Sequence, residues 1–307
     1  MNSHGSQLAA VVICFLVFTV TTVALRCYVR VRLTGGFGGD DALSVASLIV
    51  FVLGSACLLA GIGIGGFGHR WMDIPQPTLV QALKLFFIYE ATYVIATCLV
   101  KLSIGLFLLR FTVERKYTWT LYIILAILLC FSIFLLFFAI FQCKPVSAFW
   151  GNPGTCNRTG TVKVTYAHSA IISASDWALV ILPIFIVSHL NLGFRTKVYV
   201  GIILTLGSCA SIATLTRFAY IHDLIDPSNL LFNMGLIITS HFEIGLALTA
   251  SSAATLRPLL VRLRGVLASH GQSQDSAQRY LNESENARRY PSRELAGEID
   301  IEVGGLN

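Results

Sequence analysis

The sequence predicts an all-α membrane protein, a seven-transmembrane helix bundle with its N-terminus outside and its C-terminus in the cytoplasm. Three observations predict it: an apolar composition, seven long hydrophobic runs, and a lopsided distribution of Lys and Arg. Of 307 residues 55% are hydrophobic and 12% charged, with a mean hydropathy of +0.73. Soluble domains carry about 25% charged residues, so the lipid bilayer is the expected solvent and partner. The net charge of +6 would suit nucleic acid only if its basic groups shared one exposed face. They fall instead in short loops and a tail, and no nucleic-acid partner is expected.

A run of about 20 apolar residues crosses a hydrocarbon core about 30 Å thick. The first, Leu8 to Tyr28, follows a segment without Lys or Arg, and its apolar run Leu8 to Leu25 is followed by Arg26, Arg30 and Arg32 with no small-residue cleavage site. It reads as a retained span with a translocated N-terminus, not a signal peptide. The others are Ala42 to Ile64, Val80 to Leu109, Trp119 to Gln142, Tyr166 to His189, Lys197 to Ile221 and Phe232 to Leu256. The third is long enough to tilt or project beyond the bilayer. Residues 1–264 thus form one seven-helix domain, and the Ser-, Gln-, Asn- and Arg-rich stretch 265–307 reads as a disordered cytoplasmic tail.

Orientation follows from the retention of Lys and Arg in cytoplasmic loops. One set of connections carries Arg26, Arg30, Arg32, Arg110, Arg115, Lys116, Arg195 and Lys197, with Arg257, Arg262 and Arg264 after the last span. The opposite set carries only Arg70, Lys144, Arg158 and Lys163. The first set is assigned to the cytoplasm. On the outer side lie Cys143 and Cys156, where an oxidising compartment lets them pair. Asn157-Arg158-Thr159 in the same loop is an N-glycosylation acceptor pattern, and Asn282-Glu283-Ser284 in the tail should stay unmodified.

A charge near the bilayer centre costs about 2.5–3.5 kcal/mol, so it faces the bundle interior with a partner. From a rise of 1.5 Å per residue, Asp176 and Glu243 lie within roughly 5 Å of the midplane and Lys101 roughly 10 Å toward the cytoplasm. Glu90 and Arg217 lie roughly 7 and 12 Å toward the outside. The expectation is an inner cluster, Lys101 with Asp176, Glu243 or both, and an outer pair, Glu90 with Arg217. Glu90, Tyr93, Thr97 and Lys101 recur at steps of three and four, as do Ser169, Ser173 and Asp176, so both stripes face inward. His241 and Glu243, two apart, point to different sides. Interhelical polar contacts average only about 0.6 kcal/mol, so Glu90, Tyr93, Lys101, Asp176, Arg217 and Glu243 are candidates for a ligand site or switch as well as for glue. Gly39-Asp40-Asp41 reads chiefly as a helix start, the acid capping free N–H groups. Gly61 to Gly68 lacks a phosphate-binding pattern.

In chain order, Arg26-Cys27-Tyr28-Val29-Arg30 with Gly39-Asp40-Asp41, Lys101-Leu102-Ser103 with Leu109-Arg110-Phe111, Phe141 to Val146 through Trp150 to Cys156, Asp176 with Leu182-Pro183, Arg217, and Glu243 with Leu256-Arg257-Pro258-Leu259 form a series. That series resembles the fungal rhodopsin-like seven-helix family, which includes the satratoxin-cluster integral membrane protein and receptors of the G-protein-coupled pathogenicity type. The resemblance implies a receptor or sensor of a small molecule, a link to secondary metabolism, and a heterotrimeric G protein as partner. With seven residues ahead of the first span, the expectation is a chain without the cysteine-rich outer domain of some pathogenicity receptors. The plasma membrane is the expected location, an internal membrane the alternative.

No cofactor is expected. A retinal Schiff base needs a lysine, ordinarily in the seventh helix, and Phe232 to Leu256 has none. Asp-Arg-Tyr and Asn-Pro-x-x-Tyr are also missing from the third and seventh helices, so G-protein coupling rests on resemblance alone. The competing reading is an intramembrane enzyme, a cyclase or isomerase in which Asp176 or Glu243 supplies a proton. A transporter is a third, disfavoured by the lack of an internal repeat. No hydrolase or zinc motif occurs, and His69, His168 and His222 are weak candidates for a metal, so none is assigned.

Overall fold

The computed structural model describes residues 3–69, 74–110, 112, 114–188, 212, 214–218, 220–221 and 235–256. The chain divides into two units, Met1–Arg257 and Pro258–Asn307, and the second, which includes the predicted tail, lies outside the described residues. Helix α1 spans Ser3–Tyr28 and passes into a wider π-turn at Val29–Leu33. It is followed by α2 (Gly39–Gly63), α3 (Gln76–Leu109) and α4 (Arg115–Ile140). Two short strands, β1 (Cys143–Lys144) and β2 (Thr155–Cys156), flank a 3-10 turn at Val146–Trp150. Helix α5 (Arg158–Ser188) follows, and α6 (Gly235–Thr255) corresponds to the seventh predicted span. Most of the sixth predicted span, Lys197 to Ile221, lies outside the described residues; within it Thr214–Arg217 is helical.

All of α1 to α5 begin ahead of their predicted starts, whereas their ends fall within two residues of prediction. Hydropathy detects the part of a helix that lipid requires, but the backbone ladder continues into polar residues that cap it. Gly38 N–H donates to Asp41 Oδ2 at 3.0 Å at the start of α2, and Pro77 occupies the first turn of α3, where its missing N–H costs nothing. Asn157 Oδ1 accepts from Gly160 N–H at 3.0 Å, which starts α5 at Arg158 and draws Arg158 and Lys163 out of the predicted loop onto the helix.

Five described helices are long and apolar enough to cross a bilayer: Gly5–Leu33, Gly39–Gly63, Gln76–Leu109, Arg115–Ile140 and Gly235–Thr255. At 31 residues α5 is about 46 Å long, which also exceeds the hydrocarbon thickness. The outward surface is apolar: on α4 Trp119, Ile123, Ile127, Phe134 and Phe137 are exposed. Polar groups turn inward, among them Ser44, Ser47, Thr97, Lys101, Ser169 and Glu243. That inversion is what lipid demands, because tails cannot solvate a charge.

Helix α3 is central, packing on α2, α4, α5 and α6, while α1 lies against α2 and α6. Without water to drive apolar association, close approach through small residues does the work. At Gly54 an added Cβ would sit 2.9 Å from Thr92 Oγ1 of α3, and at Gly245 one would sit 2.4 Å from the Phe15 ring of α1. One core cluster gathers Leu8, Val12, Leu58, Phe86, Tyr89 and Ile237 near the disulfide loop. A second gathers Val23, Phe51, Tyr93, Val100, Ile244 and Leu248 farther along the bundle.

Candidate ligand-binding site

The inward stripe of α3 organises the charged interior. Lys101 is 2% exposed; its ammonium pairs with Asp176 of α5 and reaches the Ile172 carbonyl at 3.4 Å. The second Asp176 oxygen accepts from Thr214 Oγ1 at 3.2 Å. Eight residues back on α3, Tyr93 accepts from Arg217 Nη1 and donates to Glu243 Oε2 of α6 at 3.0 Å. The Arg217 guanidinium stands 4.2 Å from the centre of the Tyr93 ring and 3.9 Å from Glu243 Oε2. Two linkages therefore converge on α3: Lys101–Asp176 toward α5, and Arg217–Tyr93–Glu243 between the sixth segment and α6.

The expected outer pair is different in the structure. Glu90 and Arg217 form no ion pair among the described residues; Glu90 accepts instead from Gln142 Nε2 at 3.4 Å, and Arg217 goes to Tyr93 and Glu243. Axial depth placed Glu90 and Arg217 near one level but said nothing of rotation about the helix, and the Tyr93 ring takes the guanidinium. Of the two acids expected at Lys101, Asp176 makes the contact and Glu243 is held by Tyr93. His241 stacks on Phe51 at 4.4 Å and has no bond to Glu243. His168 is buried beside Phe131, His222 lies outside the described residues, and no metal-binding group of three occurs among the described residues.

Beside the second linkage is a small cavity open to the outside. Its polar lining is Tyr89, Glu90, Tyr93, Thr165, Arg217 and Ser240. Phe86, Val94, Leu135, Leu236 and Ile237 supply the apolar wall. Arg217 Nε and Glu243 Oε1 are buried with no hydrogen-bond partner. A buried polar atom left unpaired costs about 1–3 kcal/mol, so an arriving hydrogen-bonding group stabilises this region. Lys101, Asp176 and Glu243 are not part of the lining.

At the end of the bundle away from the disulfide loop, sequence reasoning missed a buried ion cluster. Arg26, read as a loop charge, is fully buried on α1. Its Nε and Nη2 meet Asp41 Oδ1 and Asp40 Oδ2, each at 2.8 Å, and Nη1 donates to the Ser251 carbonyl of α6 at 2.8 Å. Arg30 reaches the same two carboxylates at 3.2 and 3.3 Å, and Arg110 lies 3.7 Å from Asp40. Asp41 also caps α2, as expected from its position, but both acids chiefly neutralise arginine. The available signal was the i, i+4 spacing of Arg26 and Arg30 ahead of an Asp pair.

At the other end, Cys143 and Cys156 form a disulfide and face each other in the β1–β2 ladder. Asn157 is exposed next to it. Gln142 ties this loop to the interior: its side chain reaches Glu90, and its Oε1 accepts from Thr161 Oγ1 of α5 at 3.1 Å.

The fungal rhodopsin domain model matches residues 25–262, which covers α2 to α6, the end of α1, both linkages and the disulfide loop. The chain belongs to the fungal rhodopsin domain family. Within reach of that family, it is 25% identical over 267 residues to Receptor GIN3 of Arthrobotrys oligospora, covering 84% of this chain and 64% of the receptor. It thus spans less than two thirds of that relative's length. It is 24% identical to the polyenoic acids biosynthesis gene cluster protein Ba17b of Metarhizium anisopliae, covering 98% of this chain and 85% of that protein. No solved structure matches. Helix α6 contains no lysine.

Proposed function

We propose that this fungal rhodopsin-family protein is a receptor for a small molecule, crossing the plasma membrane seven times with the N-terminus outside. The observation that carries the reading is the cavity's position. It shares Tyr93 and Arg217 with the linkage that joins α3, the sixth segment and α6. A ligand touching either residue favours one arrangement of that linkage over another, and such differential contact is what shifts a two-state bundle. The name of the GIN3 relative supports a receptor, and that of Ba17b supports a setting in secondary metabolism. A heterotrimeric G protein is the proposed cytoplasmic partner. The enzyme reading asks Asp176 or Glu243 to protonate a substrate. Neither lines the cavity, and each is held by a neighbour, which favours the receptor.

Neutralising the two acids in the producing cell separates these readings. With Asp176→Asn or Glu243→Gln, altered signalling or transcription with unchanged metabolite chemistry is the expected result. Accumulation of an upstream metabolite and loss of its product would establish catalysis instead.

A further inference from the structure

Among the described carboxyls of the bundle interior, half-buried Glu90 alone lacks a cation. Asp176 has Lys101, Glu243 has Arg217, and Asp40 and Asp41 share Arg26 and Arg30. Glu90 has no salt bridge among the described residues, and its described hydrogen bond, from Gln142 Nε2, is 3.4 Å long. The sequence narrows the search for a hidden partner: the sixth predicted span, Lys197 to Ile221, holds only Arg217 and, at its predicted cytoplasmic end, Lys197, and no other Lys or Arg comes before Arg257. Lys84 on α3 is exposed and lies over the Trp150 ring, and Lys163 on α5 is exposed. Among the described residues, the bundle around the cavity therefore has three acids, Glu90, Asp176 and Glu243, against two cations, Lys101 and Arg217.

Glu90 also lines the cavity, beside the aromatic rings of Phe86, Tyr89 and Tyr93. A ring face attracts a cation within about 6 Å, most strongly where water is excluded. A carboxylate in low dielectric is stable when a counter-charge reaches it. We infer that the cavity binds a lipophilic organic amine, its ammonium on Glu90 among these rings and its apolar body along Val94, Leu135, Leu236 and Ile237. The inference rests on the receptor reading and gives its ligand a chemical class. Arg217, also in the lining and held by Tyr93 and Glu243, repels a second positive charge, which leaves Glu90 as the carboxyl for the ammonium. It also leaves a hydrogen-bond donor, Nε, for a hydroxyl or carbonyl elsewhere on the ligand.

The test holds shape constant and changes charge. The full chain in lipid nanodiscs is heated with phenethylamine, phenethyl alcohol or hydrocinnamate, and unfolding is followed by tryptophan fluorescence. A ligand of the folded state raises Tm. The amine should raise it by several degrees in the wild type, the alcohol less and the acid not at all. Glu90→Gln should abolish the amine's effect, and Glu90→Asp should retain part of it. If Glu90→Gln does not fold, the ranking of the three probes on the wild type decides alone. A larger shift with the acid or alcohol than with the amine would overturn the amine assignment while leaving a small-molecule receptor in place. An amine effect that survives Glu90→Gln, or no shift with any probe, would also overturn it. Failure of the receptor reading shows separately, in the signalling of Asp176→Asn and Glu243→Gln.

Discussion

Arg26 gives its guanidinium to two carboxylates and one carbonyl, on two other helices, with no solvent contact. Removing one partner of a buried ion pair leaves the others uncompensated, at a cost of about 3–5 kcal/mol. Arg26→Met should therefore lower stability by about that amount in thermal or denaturant unfolding. Arg26→Lys should recover little, because an ammonium cannot present the guanidinium's fork to Asp40, Asp41 and the Ser251 carbonyl together. Lys101 and Asp176 make a simpler case. Each of Lys101→Met and Asp176→Leu should destabilise by about 3 kcal/mol, whereas the double variant should lose less than either. A double variant that loses the sum would show that the two side chains do not interact. Depth along the helices set Lys101 on the cytoplasmic side of Asp176 but close enough for its long side chain to reach back to it. It could not show that Arg217 turns to Tyr93 and Glu243, because hydrophobic patterning records position along an axis and not rotation about it. Arg26 was hidden for a related reason: with Arg30 and Arg32 so close, it looks like the retained charge of a loop.

Among the elements, the helices were legible because lipid imposes both their length and their composition, and their ends agree within two residues for α1 to α5. Their starts were not, since capping by Asp41, Pro77 or Asn157 is local polar chemistry that hydropathy averages away. The disulfide loop was read from its two cysteines, and the structure adds its fixation to α5 through Gln142 and Thr161. The bond closes a segment with a sequence separation of 13, for which chain entropy alone gives about 3 kcal/mol. Cys143→Ser should therefore lower stability by about 2–4 kcal/mol. It should also loosen the loop whose Gln142 faces Glu90, which a fall in amine-induced Tm shift would report. The exposed Asn157, next to Cys156, is the expected carrier of an N-glycan. Endoglycosidase should shift the wild type but not Asn157→Gln on a gel, and Asn282→Gln should shift as the wild type does.

For the molecule as a whole, an apolar exterior around paired charges lets the bundle stay folded in lipid, with Glu90 outside the ion pairs of the described interior. The inward stripes on α3 and α5 were legible as helical spacing of polar residues. The cavity was not, because its lining comes from helices far apart in sequence: Glu90, Thr165, Arg217 and Ser240 share no local pattern. The ion cluster at Arg26 ties α1, α2 and α6 together at one end, and the disulfide loop closes the other. The segment between them, where Arg217 and Tyr93 border the cavity, is where a ligand can act on helix arrangement.

That account places a seven-span bundle across the bilayer with its ends on opposite faces, and sidedness tests it most directly. Cells carrying the full chain with an epitope after Asn307 are treated with antibody before and after selective permeabilisation of the plasma membrane, and the glycan at Asn157 is assayed on the same material. The account predicts an epitope reached only after permeabilisation, together with a glycan at Asn157. An epitope accessible on intact cells, or a glycan at Asn282, would contradict it.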